Sequence, residues 1–112
     1  MIQSLGKLTP TPGTPLRATT NLPGTPEHPR LAVHGVMFQA LPTNVGRVYI
    51  GTPTLNRTTF VGLYAILAVP AGPALPTFST ALTLAPNAIN VADFWVDVDT
   101  GGDGVLVTVL VA

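Results

Sequence analysis

Apolar and polar residues alternate with a period of two in residues 77–84 and 91–99, and the other apolar segments after residue 30 are short and rich in β-branched or aromatic residues. Both patterns predict β-strands. In residues 91–99, for example, Phe94, Val96 and Val98 share one face and three aspartates share the other. Clusters of Gly, Pro and Asn separate the alternating segments, as turns do. We therefore predict an all-β protein with a small β-sandwich or jelly-roll-like body of about six antiparallel strands. The predicted strands are residues 31–39, 47–50, 58–69, 77–84, 91–99 and 105–111.

Two of these strands are apolar on both faces. Residues 58–69 and 105–111 carry Val, Leu, Ile or aromatic side chains at odd and even positions alike, and no charged residue occurs between Thr58 and Ala92. In a two-layer domain, one face of each sheet packs in the core and the other contacts water. A strand that is apolar on both faces therefore needs another segment or subunit to cover its outer face. Either the N-terminal segment folds over these strands or other subunits cover them. We favour subunits, and expect a homo-oligomer, a dimer or trimer.

The first thirty residues have a different composition from the rest. They hold half of the twelve prolines, and their leucines follow no strand or helix period. Proline fixes φ and removes an N–H donor, so we predict an extended Pro/Thr-rich arm over residues 1–30 and a β-sandwich body over 31–112. The arm is either a disordered tail or a strap that docks on a partner. The residues expected to contact that partner are Leu5, Leu8, Leu16, Arg17 and Leu22, with Trp95 in the body.

Charge and residue types exclude several function classes. Five basic residues balance five acidic ones, so the cluster of cations that a nucleic-acid surface needs is missing. There is no cysteine, which rules out disulfides and thiolate chemistry. The first seven residues lack the pattern of a secretory signal, and the longest apolar run, residues 60–69, is too short for a spanning helix. We expect no nucleic-acid or membrane partner.

The acidic segment 97–104 is the one candidate for a metal site. Asp97, Asp99 and Asp103 occupy the first, third and seventh positions of a calcium-binding loop register. The fifth and twelfth positions are Gly101 and Thr108, which supply no carboxylate. The alternative is a hairpin loop whose glycines accept positive φ, and we favour it over a bound divalent ion.

No other constellation suggests chemistry. His34 falls among apolar positions of a predicted strand, as core or interface histidines do, and the two serines lack the context of a nucleophile. We therefore expect no catalytic residues, no cofactor and no enzyme activity. The competing class is a non-catalytic β-sandwich binding module for carbohydrate or cell surfaces, which would use Trp95, Tyr49 and Asp97.

Two segments carry a resemblance to a known family. Residues 39–51, Q-A-L-P-T-N-V-G-R-V-Y-I-G, resemble the P-x-N-x-G-x-V-Y-I-G segment of small virion proteins of tailed bacteriophages. Residues 92–98, A-D-F-W-V-D-V, followed by G-D-G-V at 102–105, are similar to the L-A-D-x-Y-V-D…G-D-G-V close of the same proteins, although Phe94-Trp95 stands where Tyr is commoner. The resemblance spans roughly residues 38–112 and omits the arm.

The resemblance implies a capsid decoration, or cement, protein with a β-sandwich body and no catalytic residues. Such a protein is made in the host cytoplasm, binds the outside of an assembled capsid and stabilises it. The implied partners are the major capsid protein and further copies of the chain.

Overall fold

The computed structural model describes residues 2–20, 32–73, 75–79 and 89–111. These residues form an all-β structure, which confirms the predicted fold class. The described part contains one helical element, a single 3-10 turn at Val91–Asp93, and so no helix long and apolar enough to cross a membrane. The strands are β1 (Ile2–Leu8), β2 (Leu16–Arg17), β3 (Ala32–Ala40), β4 (Val48–Gly51), β5 (Leu63–Leu67), β6 (Thr77–Ser79), β7 (Ile89–Asn90), β8 (Trp95–Val98) and β9 (Val105–Val111).

The strands form two antiparallel sheets. The larger sheet has the order β1-β9-β3-β6, and the short β7 also pairs with β3. The smaller sheet has the order β2-β8-β4-β5. Strands that follow each other in sequence mostly lie in different sheets, so the chain crosses repeatedly between the two layers.

The core lies between the sheets and is built from alternate positions of their strands. Val105, Val107 and Val109 of β9 are buried on the inner face of the larger sheet, as are Val36 and Phe38 of β3. The smaller sheet contributes further buried residues, namely Val48, Ile50, Leu67, Val96 and Val98. This is the period-two pattern that predicted the strands.

The first residues of the chain belong to this core, and the prediction of an arm does not hold for residues 2–20. β1 pairs with β9 along its length, and Leu5 and Leu8 are buried in the hydrophobic cluster. β2 pairs with β8, and Leu16 packs against the same cluster. The prolines lie between the two strands and not within them, so their missing N–H groups cost the sheets nothing. The rest of the predicted arm, residues 21–30 with Leu22, lies outside the described residues.

Most predicted strands in the body are confirmed, with shifted ends. The largest difference is in residues 58–69, where only Leu63–Leu67 is a strand. Phe60 has a φ of 63° and Gly62 a φ of 72°, and this left-handed backbone ends the extended conformation before β5 begins. β8 likewise begins only after the 3-10 turn. The second half of the predicted strand 77–84 lies outside the described residues.

Candidate functional site

The outer face of the smaller sheet carries the polar side chains that the sequence singled out. Register places Tyr49 opposite Asp97, and Gly51 opposite Trp95, so these residues share one face of β4 and β8. The opposite face of the same strands is buried in the core. Although Tyr49 and Asp97 point away from the core, each is only 1% exposed. Two loops, 9–15 and 52–62, cover them.

The first covering loop is shaped by its prolines. Thr11, Pro12, Gly13 and Thr14 form a tight turn closed by a 2.9 Å hydrogen bond from Thr14 N to Thr11 O. Gly13 has a φ of 82°, which matches a type II turn with proline and glycine at its centre. The Gly13 N–H donates to Asp97 Oδ1 at 3.0 Å. The turn is therefore held on the sheet by a buried carboxylate.

The second covering loop contributes the arginine of the site. Asn56 accepts hydrogen bonds from the N–H groups of Thr58 and Thr59, which forms the bend that presents Arg57. Arg57 Nε lies 3.7 Å from Asp97 Oδ2, and Arg57 Nη1 donates to Asp99 Oδ1 at 3.0 Å. The loop lies so close to the sheet that a Cβ on Gly51 would fall 2.2 Å from Gly62 O. The glycine at position 51 is therefore required by this approach.

Asp99 is the centre of a polar network. It accepts hydrogen bonds from Tyr49 Oη at 3.0 Å, from Arg57, and from Arg47 Nε at 3.4 Å. Burial alone would raise the pKa of Asp99, but the hydrogen bonds from Tyr49, Arg57 and Arg47 outweigh it and hold the pKa below its ordinary value. Burial, followed by the hydrogen bond to Asp99, raises the pKa of Tyr49.

The two segments that carry the family resemblance bind to each other. Asn44 Nδ2 donates to Gly104 O at 2.8 Å, and Gly104 N donates to Asn44 Oδ1 at 2.9 Å. Asp103 accepts from the N–H groups of Val45 and Gly46, the latter at 2.7 Å. Residues 41–47 and 99–104 both cross between the sheets, so these bonds join the two crossings. We call this arrangement the crossing clamp, and define it by Asn44, Asp103 and Gly104.

The favoured hairpin interpretation of segment 97–104 is wrong, because its flanking strands belong to different sheets. β8 pairs with β2 and β4, whereas β9 pairs with β1 and β3. The segment is a connection across the sandwich, although Gly102 does take the expected positive φ, 89°. Sequence pattern alone cannot distinguish a hairpin from a crossing, since both need glycine and a polar turn.

The three aspartates of this segment bind protein groups. Asp97 accepts backbone N–H groups and faces Arg57, Asp99 binds two arginines and a tyrosine, and Asp103 accepts two backbone N–H groups. Within the described residues, no three His, Asp or Glu side chains come together as a metal site. The metal alternative thus receives no support from the geometry.

Five of the six residues expected to contact a partner lie in the described part of the chain and contact other residues of the fold, whereas Leu22 lies outside it. Leu5, Leu8 and Leu16 pack in or against the core. The Arg17 guanidinium lies over the Trp95 ring, with 4.9 Å between Cζ and the ring centroid. This cation–π contact covers the aromatic surface that a sugar would need. With Tyr49 and Asp97 also buried, the proposed carbohydrate platform is not presented to solvent.

A small cleft opens beside the polar network. Its volume is about 150 Å³. It is lined by Gly13, Leu55, Asn56, Arg57, Thr58 and Asp97. Asp97 and Arg57 line the cleft as an ion pair with 3.7 Å between Oδ2 and Nε, and this Nε makes no hydrogen bond within the described residues. The cleft is the space left between the two covering loops, above Asp97 of β8.

Exposed apolar side chains lie just beyond this network. Phe60 is 50% and Val61 56% exposed at the end of the second covering loop, which we call the loop tip. The Phe60 ring stacks on Tyr49 at a centroid distance of 6.4 Å. Tyr64, Ile66 and Val69, in and after β5, are also exposed. The sequence of residues 58–69 predicts an apolar surface that needs a cover. The structure shows which of these residues are exposed and that Leu67 is buried in the core.

The chain was compared with protein-family models, with curated proteins and with solved structures, and none of them matches it.

Proposed function

We propose that this chain is a structural virion protein that binds the outside of an assembled phage capsid and stabilises it, without catalysis. The observation that carries the proposal is the loop tip. Phe60 and Val61 are apolar, and they are 50% and 56% exposed, respectively. They belong to a segment, Thr58 to Ala92, that contains no charged residue. Such surface is typical of a site that binds another protein.

The backbone of Phe60 adds a second argument for binding at the loop tip. A bulky residue with a φ of 63° is strained, at a cost of about 1–3 kcal/mol, and glycine would adopt this conformation freely. Strain of this kind is found where a side chain serves a function. The half-exposed Phe60 ring is therefore best explained as an anchor for a partner.

The capsid enters the proposal through the family resemblance. The two segments that carry it are about 50 residues apart, yet they meet in the crossing clamp. The resembling residues thus form one structural unit and not two unrelated turns. This supports treating the segments as a shared fold element of small virion proteins, and the function implied by them is capsid decoration.

The test is cosedimentation of the full chain with purified, expanded heads of a tailed phage that encodes it. We expect saturable binding. The informative variant is Phe60→Gly, which removes the ring and also relieves the strained φ, so the loop keeps its path. We expect it to bind at least tenfold more weakly, since a central aromatic anchor contributes about 2 kcal/mol or more.

The matched control is Val45→Ala. Val45 is 69% exposed and lies in the crossing between β3 and β4, which is a different loop from the one that carries Phe60 and Val61. Val45→Ala should bind heads as the unaltered chain does. The proposal is contradicted if the full chain stays in the supernatant, or if Phe60→Gly sediments with heads as efficiently as Val45→Ala.

A further inference from the structure

We propose that Arg47, Phe60 and Ile66 bind a segment of the capsid partner that carries a carboxylate next to an apolar side chain. We call these three residues the recognition surface. The inference rests on the proposed function for the identity of the partner, and it adds the chemistry that this partner presents. That chemistry can be tested without heads.

The three residues surround the ring of Tyr49 on the outer face of the smaller sheet. The Arg47 guanidinium lies over this ring, with 5.5 Å between Cζ and the ring centroid. The Phe60 ring stacks on Tyr49, and Ile66 of β5 is the residue that pairs with Tyr49 in the sheet. The three side chains are therefore close together on one face of the protein.

All three side chains of the recognition surface reach solvent. Half of Phe60 and half of the Arg47 side chain are exposed, and Ile66 is 39% exposed. Aromatic and arginine side chains are enriched at protein interfaces, where a few of them account for most of the binding energy. An aromatic ring beside an aliphatic side chain and a guanidinium is therefore a surface typical of protein binding.

Arg47 keeps two donor groups at the end of its side chain. Its Nε donates to Asp99 at 3.4 Å, whereas its two Nη groups make no hydrogen bond within the described residues. Two Nη groups match the two oxygens of a carboxylate in the bidentate arrangement that arginine favours. The contacts with Asp99 and the Tyr49 ring already restrain the guanidinium, so that less conformational entropy is lost when a carboxylate binds.

The carboxylates near the recognition surface are already bound or buried. Asp99 Oδ1 accepts a hydrogen bond from Arg57 Nη1, and Asp99 Oδ2 accepts from Tyr49 Oη and from Arg47 Nε. The Asp97 side chain is only 2% exposed. The uncommitted polar groups at this surface are therefore donors, and the complementary group on a partner is an anionic acceptor.

The apolar neighbours of Arg47 favour a protein carboxylate over a nucleic-acid phosphate. A phosphate backbone needs a cluster of cations, and Arg57, the other cation of this network, is already paired with two aspartates. An apolar side chain of a polypeptide would cover Phe60 and Ile66. A segment with a carboxylate beside such a side chain therefore complements all three residues.

The test compares two variants that remove the same charge from different surfaces. Arg47→Gln removes the guanidinium, and the control Lys7→Gln removes an exposed ammonium from β1 in the larger sheet. In cosedimentation with purified heads, we expect Arg47→Gln to bind about tenfold more weakly and Lys7→Gln to bind as the unaltered chain does. Arg47→Lys keeps the charge without the bidentate geometry and should have an intermediate affinity.

Ionic strength separates recognition by Arg47 from a structural role of this residue. Raising NaCl from about 50 to about 500 mM should weaken head binding by the unaltered chain more than by Arg47→Gln, which has no ion pair to screen. A purely structural defect would leave the same salt dependence in both chains. Circular dichroism verifies that Arg47→Gln is folded, and the probe titration of the unaltered chain decides the matter if it is not.

The probe is sodium 4-methylpentanoate, which joins a carboxylate to a branched aliphatic chain. Its amide, 4-methylpentanamide, has the same shape without the charge. In NMR titrations of the labelled chain, we expect the carboxylate to shift the signals of Arg47 Nε–H and of the Phe60 and Ile66 side chains, with a Kd on the order of 10 mM for so small a ligand. The amide should shift them far less.

Two results would overturn the inference. The first is head binding that Arg47→Gln and Lys7→Gln retain equally, which leaves the proposed function standing. The second, for a chain that does not bind heads, is a carboxylate that shifts these signals no more than the amide does. Carboxylate-specific shifts without head binding would contradict the proposed function and support the recognition surface, so the two proposals can fail separately.

Discussion

Asn44 and Asp103 are the residues on which the two sheet-crossing connections depend. Asn44 is buried, and its amide satisfies both the N–H and the C=O of Gly104. Gly104 itself has no room for a side chain, since a Cβ there would lie 2.0 Å from Leu8 O. Asn44, Asp103 and Gly104 of the resembling segments therefore have structural explanations, since they join the two crossings and let β1 pass close to β9.

We expect Asn44→Ala to lower the free energy of unfolding by about 1–3 kcal/mol. The variant leaves the buried N–H of Gly104 without a partner, at a cost of about 1–3 kcal/mol, while the C=O of Gly104 still accepts a hydrogen bond from Leu41 N at 3.1 Å. Urea denaturation followed by circular dichroism measures the loss. Asn56→Ala is the matched control, since Asn56 is exposed and caps only a surface bend, and its cost should stay within about 1 kcal/mol. Equal losses in the two variants would argue against the clamp.

We expect the Tyr49–Asp99 pair to make the free energy of unfolding fall at both acidic and alkaline pH. The pKa of Asp99 is lowered on folding, so its contribution is present above its ordinary value of 3.8 and is lost as pH falls through the folded pKa. The pKa of Tyr49 is raised, so its contribution is present below its ordinary value of 10.0 and is lost as pH rises through the folded pKa.

The variant Tyr49→Phe isolates the alkaline part of this dependence. Without the hydroxyl, the loss of stability above pH 10 that Tyr49 causes should disappear, and stability near neutrality should fall because Asp99 loses a hydrogen bond. The free energy of unfolding, measured in urea from pH 3 to 11, gives both effects. A pH profile parallel to that of the unaltered chain would show that the network does not couple these groups.

At the level of whole elements, β1 is where sequence and structure disagree most. The prolines at positions 10, 12 and 15 contributed to the prediction of an extended arm, but they lie in the turn region between β1 and β2. The short apolar segment before them is β1, which pairs with β9. A Gly6 bulge with a φ of 85° interrupts the period-two pattern and buries Leu5 out of phase. No local pattern could reveal β1, since the strand that pairs with it in the described part of the chain, β9, lies near the other end of the sequence.

Strands rich in β-branched and aromatic residues and bounded by clear turns could be predicted, as β3, β4, β8 and β9 show. The candidate site could be predicted only as a set of residues. Asp97, Asp99 and Tyr49 were singled out, but their partners Gly13, Arg47 and Arg57 come from distant segments. Such contacts depend on which sheet each strand joins, and alternation does not encode that choice.

We expect Leu8→Ala to cost about 2–5 kcal/mol of unfolding free energy, because Leu8 is 2% exposed in the core of β1. Leu106→Ala, at a position 37% exposed on the outer face of β9, should cost less than about 1 kcal/mol. Denaturant titration of both variants makes the comparison. Were Leu8→Ala as mild as Leu106→Ala, residues 2–8 would be an appendage after all.

We expect calcium to leave the thermal stability of the protein unchanged, because the carboxylates of the segment joining β8 and β9 already have partners. These carboxylates are bound to N–H groups and arginines, and breaking those bonds would offset any gain from an ion. The melting temperature should therefore change by less than about 1 °C between millimolar calcium and chelator. An ion that bound the folded form at a hundredfold excess over Kd would add about 2.7 kcal/mol, a shift of several degrees. A shift of that size would establish a site.

At the scale of the whole molecule, the outer side of the smaller sheet has its polar side chains bound within the protein and its apolar side chains exposed. The bound polar side chains hold the two covering loops in place. Asp97, Asp99 and Arg57 are bound to each other or to backbone, whereas Phe60, Val61 and Ile66 are exposed. Such a distribution suits a protein whose function is to bind other protein surfaces.

The most direct test of capsid stabilisation is the heat resistance of phage heads. Heads that lack this chain are heated with increasing amounts of it, and the DNA retained is measured against temperature. We expect release to move to higher temperature until the added chain saturates, with Phe60→Gly needing at least a tenfold higher concentration for the same shift. Release at an unchanged temperature, with the folded chain present in excess, would contradict the proposed function.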